Sequence, residues 1–166
     1  MLSVDKIADI DKATIIQHTV TAFHGNDVSD PDIITFTNRY TDWDLSRKLM
    51  LDGSMTGFYL LQEHSVADLI NNRYDRCVPL EDLSGYATKR GVEGIILLVL
   101  PEYRGRGYGN LLKDLPRQMG YDYVYGEHFK ATPAVVQHWL KRRRLIADCC
   151  GIYGDVWVTL EDLTAR

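Results

Sequence analysis

The sequence predicts a mixed α/β fold, and three observations carry that expectation. Residues 92–115 read as a strand, a glycine-rich loop and a helix in succession. A second strand follows at 121–125, and a strand, helix, strand unit requires a parallel, right-handed crossover. Two further pairs of short apolar runs, at 56–70 and 149–160, read as hairpins on either side of that unit.

Taken in order, residues 1–7 suit a short edge strand. Asp9 or Asp11 then caps a helix with Ile15, Ile16, Thr19, Val20 and Phe23 on one side, and Gly25-Asn26 ends it. The segment 26–41 fits no single pattern. Leu45, Leu49 and Met50 are spaced for one helical face, with Asp42 or Asp44 as cap and Gly53 as stop. Residues 56–62 and 66–70 form the expected hairpin through Glu63-His64-Ser65. The long connection 72–91 holds Pro79, Gly85 and Gly91 and reads as a surface excursion or a cover over an acceptor. Ile95 to the residue before Pro101 is an unbroken apolar run, suited to a strand buried on both faces. The apolar spacing of Leu111, Leu112 and Leu115 is helical and stops before Pro116. Thr132-Pro133 opens the next helix, striped by Val135, Val136, Trp139 and Leu140, and Gly154-Asp155 joins the closing strands.

With 166 residues the chain has the size of one domain spanning 1–166, able to bury a core without metals or disulfides. An apolar content of 45% with 25% charged residues is that of a soluble globular protein. No run is long enough to span a bilayer and the first residues lack a signal-peptide pattern, so the expectation is cytoplasmic with no membrane partner. Three cysteines, Cys77, Cys149 and Cys150, imply no disulfide framework, since neighbours on a strand face opposite ways. Five histidines show no metal-ligand spacing, and no metal is expected. A net charge of −4 disfavours nucleic acid as a partner without excluding a local basic patch.

The loop after the apolar strand carries the chemistry. Gly105, Gly107 and Gly109 lack the Cβ atoms that hold a ligand away from the backbone, and a helix start after glycines suits phosphate. A P-loop would need Lys-Ser or Lys-Thr after the last glycine, where Asn110-Leu111 stands. A dinucleotide fingerprint would begin directly after the strand, whereas four residues intervene and the third glycine comes one position early. Arg104-Gly105-Arg106-Gly107-Tyr108-Gly109, an R-x-x-G-x-G run preceded by Val99-Leu100-Pro101-Glu102-Tyr103, resembles the acyl-CoA-binding motif of the GNAT N-acetyltransferase superfamily. The order of elements along the chain is similar to that superfamily too. The resemblance implies a mixed, mostly antiparallel central sheet with helices on both faces. It implies acetyl-CoA as cosubstrate, with Leu98, Val99 and Leu100 meeting pantetheine and Arg104, Gly105, Arg106, Gly107, Tyr108, Gly109 and Asn110 around the pyrophosphate.

Acetyl transfer needs a neutral amine and a proton for the departing thiolate. Glu93 lies eleven residues before Arg104, the separation at which histone-acetylating members carry a general base, and it reads equally as a solvated Glu at the start of a strand. Strand alternation would place Glu93, Ile95, Leu97 and Val99 on one face. The Tyr that many relatives use as general acid falls here on Trp139 or Leu140, and the Gly-Phe of that motif is absent. Tyr125, His128 and His138 stand nearby, and Tyr125 is the choice. Lys141-Arg142-Arg143-Arg144 is the one dense basic run, read as a solvated helix end or as a contact for the CoA 3′-phosphate or a nucleic acid. The expectation is direct transfer of acetyl to a primary amine, on a small molecule or a protein. A CoA-binding regulatory module, and a toxin-like enzyme acting on a macromolecule such as aminoacyl-tRNA, stay open as alternatives, as does a homodimer.

Overall fold

In the computed structural model, which describes residues 1–26, 28–151 and 153–164, eight strands and six helices follow one another. They are β1 (Leu2–Lys6), α1 (Asp9–Phe23), α2 (Asp30–Tyr40), β2 (Asp42–Leu51), β3 (Ser54–Glu63), α3 (Val66–Asp68), β4 (Arg76–Pro79), β5 (Gly91–Val99), α4 (Tyr108–Lys113), α5 (Leu115–Gln118), β6 (Tyr123–Phe129), α6 (Pro133–Leu140), β7 (Arg144–Gly151) and β8 (Gly154–Asp162). The sheet order is β1-β2-β3-β5-β6-β8-β7-β4. The β5/β6 pair is parallel, and β1/β2, β2/β3, β6/β8, β7/β8 and β4/β7 are antiparallel. The chain divides into two compact units, Met1–Gln62 with Gly94–Leu115, and Glu63–Glu93 with Pro116–Arg166.

The first unit is built on Ile7, Ile15, Phe58, Leu60 and Ile96, all buried. Helix α1 sends Ile15 and Thr19 inward and begins at Ala8, whose N–H donates to the Asp11 carboxylate at 2.8 Å. The unassigned segment resolves into α2, capped by Ser29, whose hydroxyl accepts from the Asp32 N–H, with Pro31 in the first turn. The helix expected between Asp42 and Gly53 is instead the strand β2. Asp52 and Gly53 both take positive φ, 50° and 82°, and make the tight turn that pairs Leu51 with Ser54. Leu45 and Leu49 are four residues apart, a spacing that suits one face of a helix and of a strand alike, and the alternation that marks a strand is interrupted by a bulge. Ser46 fills it, donating to the Asp42 carbonyl at 2.7 Å and accepting from the Leu61 N–H at 2.9 Å.

The second unit packs Leu69, Tyr86, Tyr123, Tyr125, Ile146 and Leu160 among its buried residues. The strand expected at 66–70 is helical: α3 followed by a π-helical turn, Leu69–Arg73. Ser65 caps it by accepting from the Ala67 N–H, and the Val66 N–H donates to the Tyr123 hydroxyl at 3.1 Å, so both donors are satisfied without a strand partner. The long connection is not structureless either, since β4 lies in it and pairs with β7. Cys77 stands opposite Cys149 in that register and the two form a disulfide, which corrects the expectation of unpaired cysteines. That expectation weighed only the adjacent Cys149 and Cys150; the partner comes from 72 residues earlier. The closing hairpin forms, but Gly154 and Asp155, expected to join its strands, are the first residues of β8 and pair with Gly151 and Cys150, β7 begins at Arg144, and residue 152 of the expected first strand lies outside the described residues. Among the described residues, no helix is long and apolar enough to cross a membrane.

Candidate active site

The glycine loop joins β5 to α4 within the first unit. Leu98, Val99 and Leu100 end the strand segment, and Leu98 packs on the core while Leu100 is 5% exposed. The Leu100 N–H is already bonded to the Thr56 carbonyl at 2.9 Å, and the Val99 carbonyl accepts from Arg104 Nε at 3.0 Å. The chain then makes one 3₁₀ turn, Pro101–Tyr103, and enters the loop. Gly105 and Gly107 have φ of 76° and 82°, and a Cβ at either would meet nothing within 4 Å. Glycine is therefore required by backbone conformation, and the space above both residues is open. After Arg104, whose N–H bonds to Pro101, the next backbone donor with an intrachain partner among the described residues is Asn110, bonded to the Gly107 carbonyl at 3.1 Å. Arg106 lies along the loop, its Nη2 donating to the Glu102 carbonyl at 3.4 Å. Tyr108 and Gly109 open α4, and the Gly109 Cβ position stands 3.9 Å from Val99.

Glu93 and Tyr125 are brought together in the second unit, opposite each other in the parallel β5/β6 pairing. Glu93 is 1% exposed and is gripped by Arg73, whose Nη1 reaches Oε1 at 2.5 Å and Nη2 reaches Oε2 at 2.9 Å. This fork is the strong geometry for a guanidinium and a carboxylate. Arg73 also bonds Glu127 Oε1. Burial opposes the Arg73 charge, but the two carboxylates outweigh it and hold the guanidinium above its ordinary range. Burial pushes the Glu127 carboxyl up, against the pull of Arg73.

Tyr125 is fully buried, and its hydroxyl lies 2.7 Å from His64 Nδ1 and 3.5 Å from the Ser65 carbonyl. His64 Nε2 in turn stands 2.5 Å from Asp68 Oδ2, and Asn72 donates to the other Asp68 oxygen at 2.5 Å. Burial and then the Glu93 charge raise the Tyr125 phenol well above its usual value, so it keeps its proton. Sequence reasoning singled out Glu93 and Tyr125 but not the side chains they pack and bond with, His64, Asp68, Arg73 and Glu127. His64 and Asp68 are four apart, an i,i+4 spacing that points to one helical face only once 66–70 is read as a helix.

The remaining candidates are otherwise engaged. His128 bonds Thr159 Oγ1 at 2.8 Å, and burial, with the Arg143 charge, lowers its imidazole to about 3, so it is neutral near pH 7. His138 lies edge-on to Trp139 with ring centroids 6.3 Å apart. Trp139 carries the Arg143 guanidinium over its ring at 3.9 Å. The basic run is not a solvated helix end throughout. Arg142 pairs with Glu161 at 2.8 Å, Arg143 is 6% exposed, and Arg144 pairs with Glu81 at 2.8 Å. Among the described residues no group of three His, Cys, Asp or Glu is placed to hold a metal ion.

No protein-family model matches the sequence, and no curated protein matches it. Solved structures do. The chain superposes on the loading GNATL domain of CurA from Lyngbya majuscula with a TM-score of 0.70 over 100% of both chains, at 12% identity. Ard1 from Thermoplasma volcanium gives 0.65 over 99% of both, also at 12% identity. Arabidopsis thaliana Naa50, solved with the bisubstrate analogue CoA-Ac-MVNAL, gives 0.64 over 97% of this chain and 98% of that one, at 14% identity. The chain has the fold of the GNAT N-acetyltransferases along its whole length.

Proposed function

We propose that the chain is an acyl-CoA-dependent N-acetyltransferase that moves the acetyl group of acetyl-CoA directly to a primary amine. The observation that carries this is the loop 104–110: two left-handed glycines with open space above them, in the R-x-x-G-x-G run, at the end of a buried strand. Backbone N–H groups freed of side-chain bulk suit a diphosphate, and Arg104 and Arg106 add positive charge beside them. The bisubstrate complex of Naa50 supports CoA as the donor on this fold. Leu98, Val99 and Leu100 steer the pantetheine arm; on binding, Arg104 releases the Val99 carbonyl to the ligand and turns toward phosphate.

Tyr125 handles the proton that the departing thiolate takes up. Glu93 acts through its charge. Both of its oxygens are held by Arg73, so its part is to keep the Tyr125 phenol protonated and Arg73 in place, and the proton from the amine goes elsewhere. The acceptor bears a primary amine, and the fold neighbours include a ribosomal-protein-S18-alanine N-acetyltransferase from Escherichia coli, which supports a peptide or protein terminus among the choices. The compartment we propose is the cytoplasm. The test is acetyl-CoA with a panel of spermidine, L-lysine and a tetrapeptide with a free terminus, scored by a gain of one acetyl mass and by release of CoA thiol. Acetylation of a panel member with equimolar thiol release is expected. Thiol release without any acetylated amine would overturn the reading.

A further inference from the structure

We propose that β1 is the docking edge for a second copy of this chain, the two β1 strands pairing antiparallel about a two-fold axis at Val4. The sheet order ends in β1 on one side and β4 on the other. An edge strand carries a row of backbone groups with no neighbouring strand to bond, and a fold either blunts that row or uses it. On β4 the Leu80 N–H donates to the Ile146 carbonyl at 2.8 Å, in the register that sets Val78 against Asp148, so Arg76 and Val78 are the inward-bonding positions. The outward positions are Cys77 and Pro79, and a proline has no N–H to offer. That edge is blunted.

By the same test β1 is open. The Asp52 N–H donates to the Met1 carbonyl at 3.1 Å, in the register that sets Leu2 against Leu51. Bonded pairs alternate along an antiparallel ladder, so Ser3 and Asp5 also bond to β2, while Leu2, Val4 and Lys6 turn both N–H and C=O outward. None of the three is proline. Leu2 and Val4 are 39% and 43% exposed, and they share a face of the strand with Lys6. The edge therefore combines unblocked backbone groups with an apolar pair that nothing covers.

A copy of the same strand is the occupant whose chemistry fits. A two-fold axis perpendicular to the sheet keeps each face on its own side, so Leu2, Val4 and Lys6 can meet only one another, and Ser3 and Asp5 likewise. With the axis at Val4, Val4 meets Val4, Leu2 meets Lys6 and Ser3 meets Asp5. Every outward N–H of Leu2, Val4 and Lys6 then finds a carbonyl of the other copy. The Lys6 stem covers Leu2, and the Ser3 hydroxyl donates to the Asp5 carboxylate across the seam. No charge faces its like. Moving the axis to Asp5 sets Asp5 against Asp5, and moving it to Ser3 carries Lys6 beyond the other copy's β1. Two strands of five residues bury well below the roughly 1,200 Å² of a standard interface, so the pairing is reversible and depends on concentration.

The experiment is sedimentation velocity of wild type as concentration is raised roughly a hundredfold, with a melting curve for each variant. The weight-average mass is expected to climb from 19.0 kDa toward twice that value. Val4→Pro deletes only an outward N–H, so it should hold the monomer mass and melt close to wild type, as proline is accepted on an edge whose N–H faces solvent. Ser3→Pro removes a bond to β2 and should melt lower. A second arm needs no proline. In a Cys150→Ser background, which removes the exposed free thiol, Val4→Cys should cross-link to itself under oxidised glutathione, because Cα atoms in a bonded pair lie about 5.5 Å apart, within the span of a disulfide. Lys6→Cys should not, since Lys6 faces Leu2 and its two copies stand roughly 14 Å apart along the strand. Wild type that stays at 19.0 kDa throughout overturns the pairing and leaves the edge to an extended segment of another protein. A dimer that survives Val4→Pro, or one in which Val4→Cys cross-links no faster than Lys6→Cys, places the contact elsewhere and overturns it as well.

Discussion

Tyr125 is the residue at which burial, charge and chemistry meet. Its hydroxyl is held at 2.7 Å by His64 and its ring is fully enclosed. Tyr125→Phe removes one hydroxyl and little volume, so the fold should survive with a loss of about 1–2 kcal/mol, the usual size for an orphaned buried partner. Turnover should fall by roughly 100-fold, the scale of general acid–base catalysis, with KM for acetyl-CoA little changed; steady-state kinetics check both. Glu93 behaves differently because Arg73 shares it with Glu127. Glu93→Gln leaves a buried guanidinium with one carboxylate fewer, and urea unfolding at pH 7 should show a loss of about 3 kcal/mol, near the lower end for breaking a buried pair.

At the scale of elements, two joins set how the second unit is built. Gly91 begins β5 opposite Tyr123, and a Cβ there would stand 2.1 Å from the Tyr123 ring. That ring is fully buried and cannot move aside, so Gly91→Ala should destabilise by about 1–3 kcal/mol, read as a lowered urea midpoint. The Cys77–Cys149 bond ties β4 to β7 across 72 residues of chain. Loop-closure entropy for that span gives about 4 kcal/mol, so a reductant, or Cys77→Ser, should lower the melting temperature, and an unchanged melting curve would show that β4 holds without the bond. Local signals made some of this visible in the sequence. The glycine loop and the crossover are punctuated by Pro101 and Pro116, whose effects are local, and they fell where expected, while the last hairpin formed with Gly154 inside its second strand rather than between the two. The β2 strand did not fall where expected, because Leu45 and Leu49, four residues apart, fit one face of a helix as well as one face of a strand, and the irregular register around Ser46 breaks the alternation that would have told them apart. The α3 turn did not, because its donors are satisfied by Ser65 and by Tyr123, a residue far away in sequence. For the same reason Arg73, which comes from a turn misread as part of a surface excursion, could not be foreseen as the partner of Glu93.

For the molecule as a whole, the buried histidine on β6 contributes to the response to acid. His128 titrates near 3 when folded against an ordinary 6.5, because burial and the Arg143 charge disfavour its cation. Between those values the unfolded chain binds a proton that the folded chain does not, so stability rises with pH across the window and is lost as pH falls from 6.5 toward 3. The full difference corresponds to about 4–5 kcal/mol. His128→Gln should flatten that part of the curve, measured as unfolding free energy against pH; a slope equal to that of wild type would assign the acid sensitivity to other groups. The fold itself is that of the GNAT acetyltransferases over the whole chain, at identities of 11–15% with the structures it matches, so the weight of the functional account falls on the loop.

The most direct measurement of that account is calorimetric titration of acetyl-CoA into the wild-type protein and into Gly107→Val. The account predicts saturable one-to-one binding to wild type and at least a tenfold weaker interaction in the variant, with its melting temperature shifted only by the cost of a side chain at φ 82°. Equal affinity in the two proteins, or no heat of binding in wild type, would contradict it.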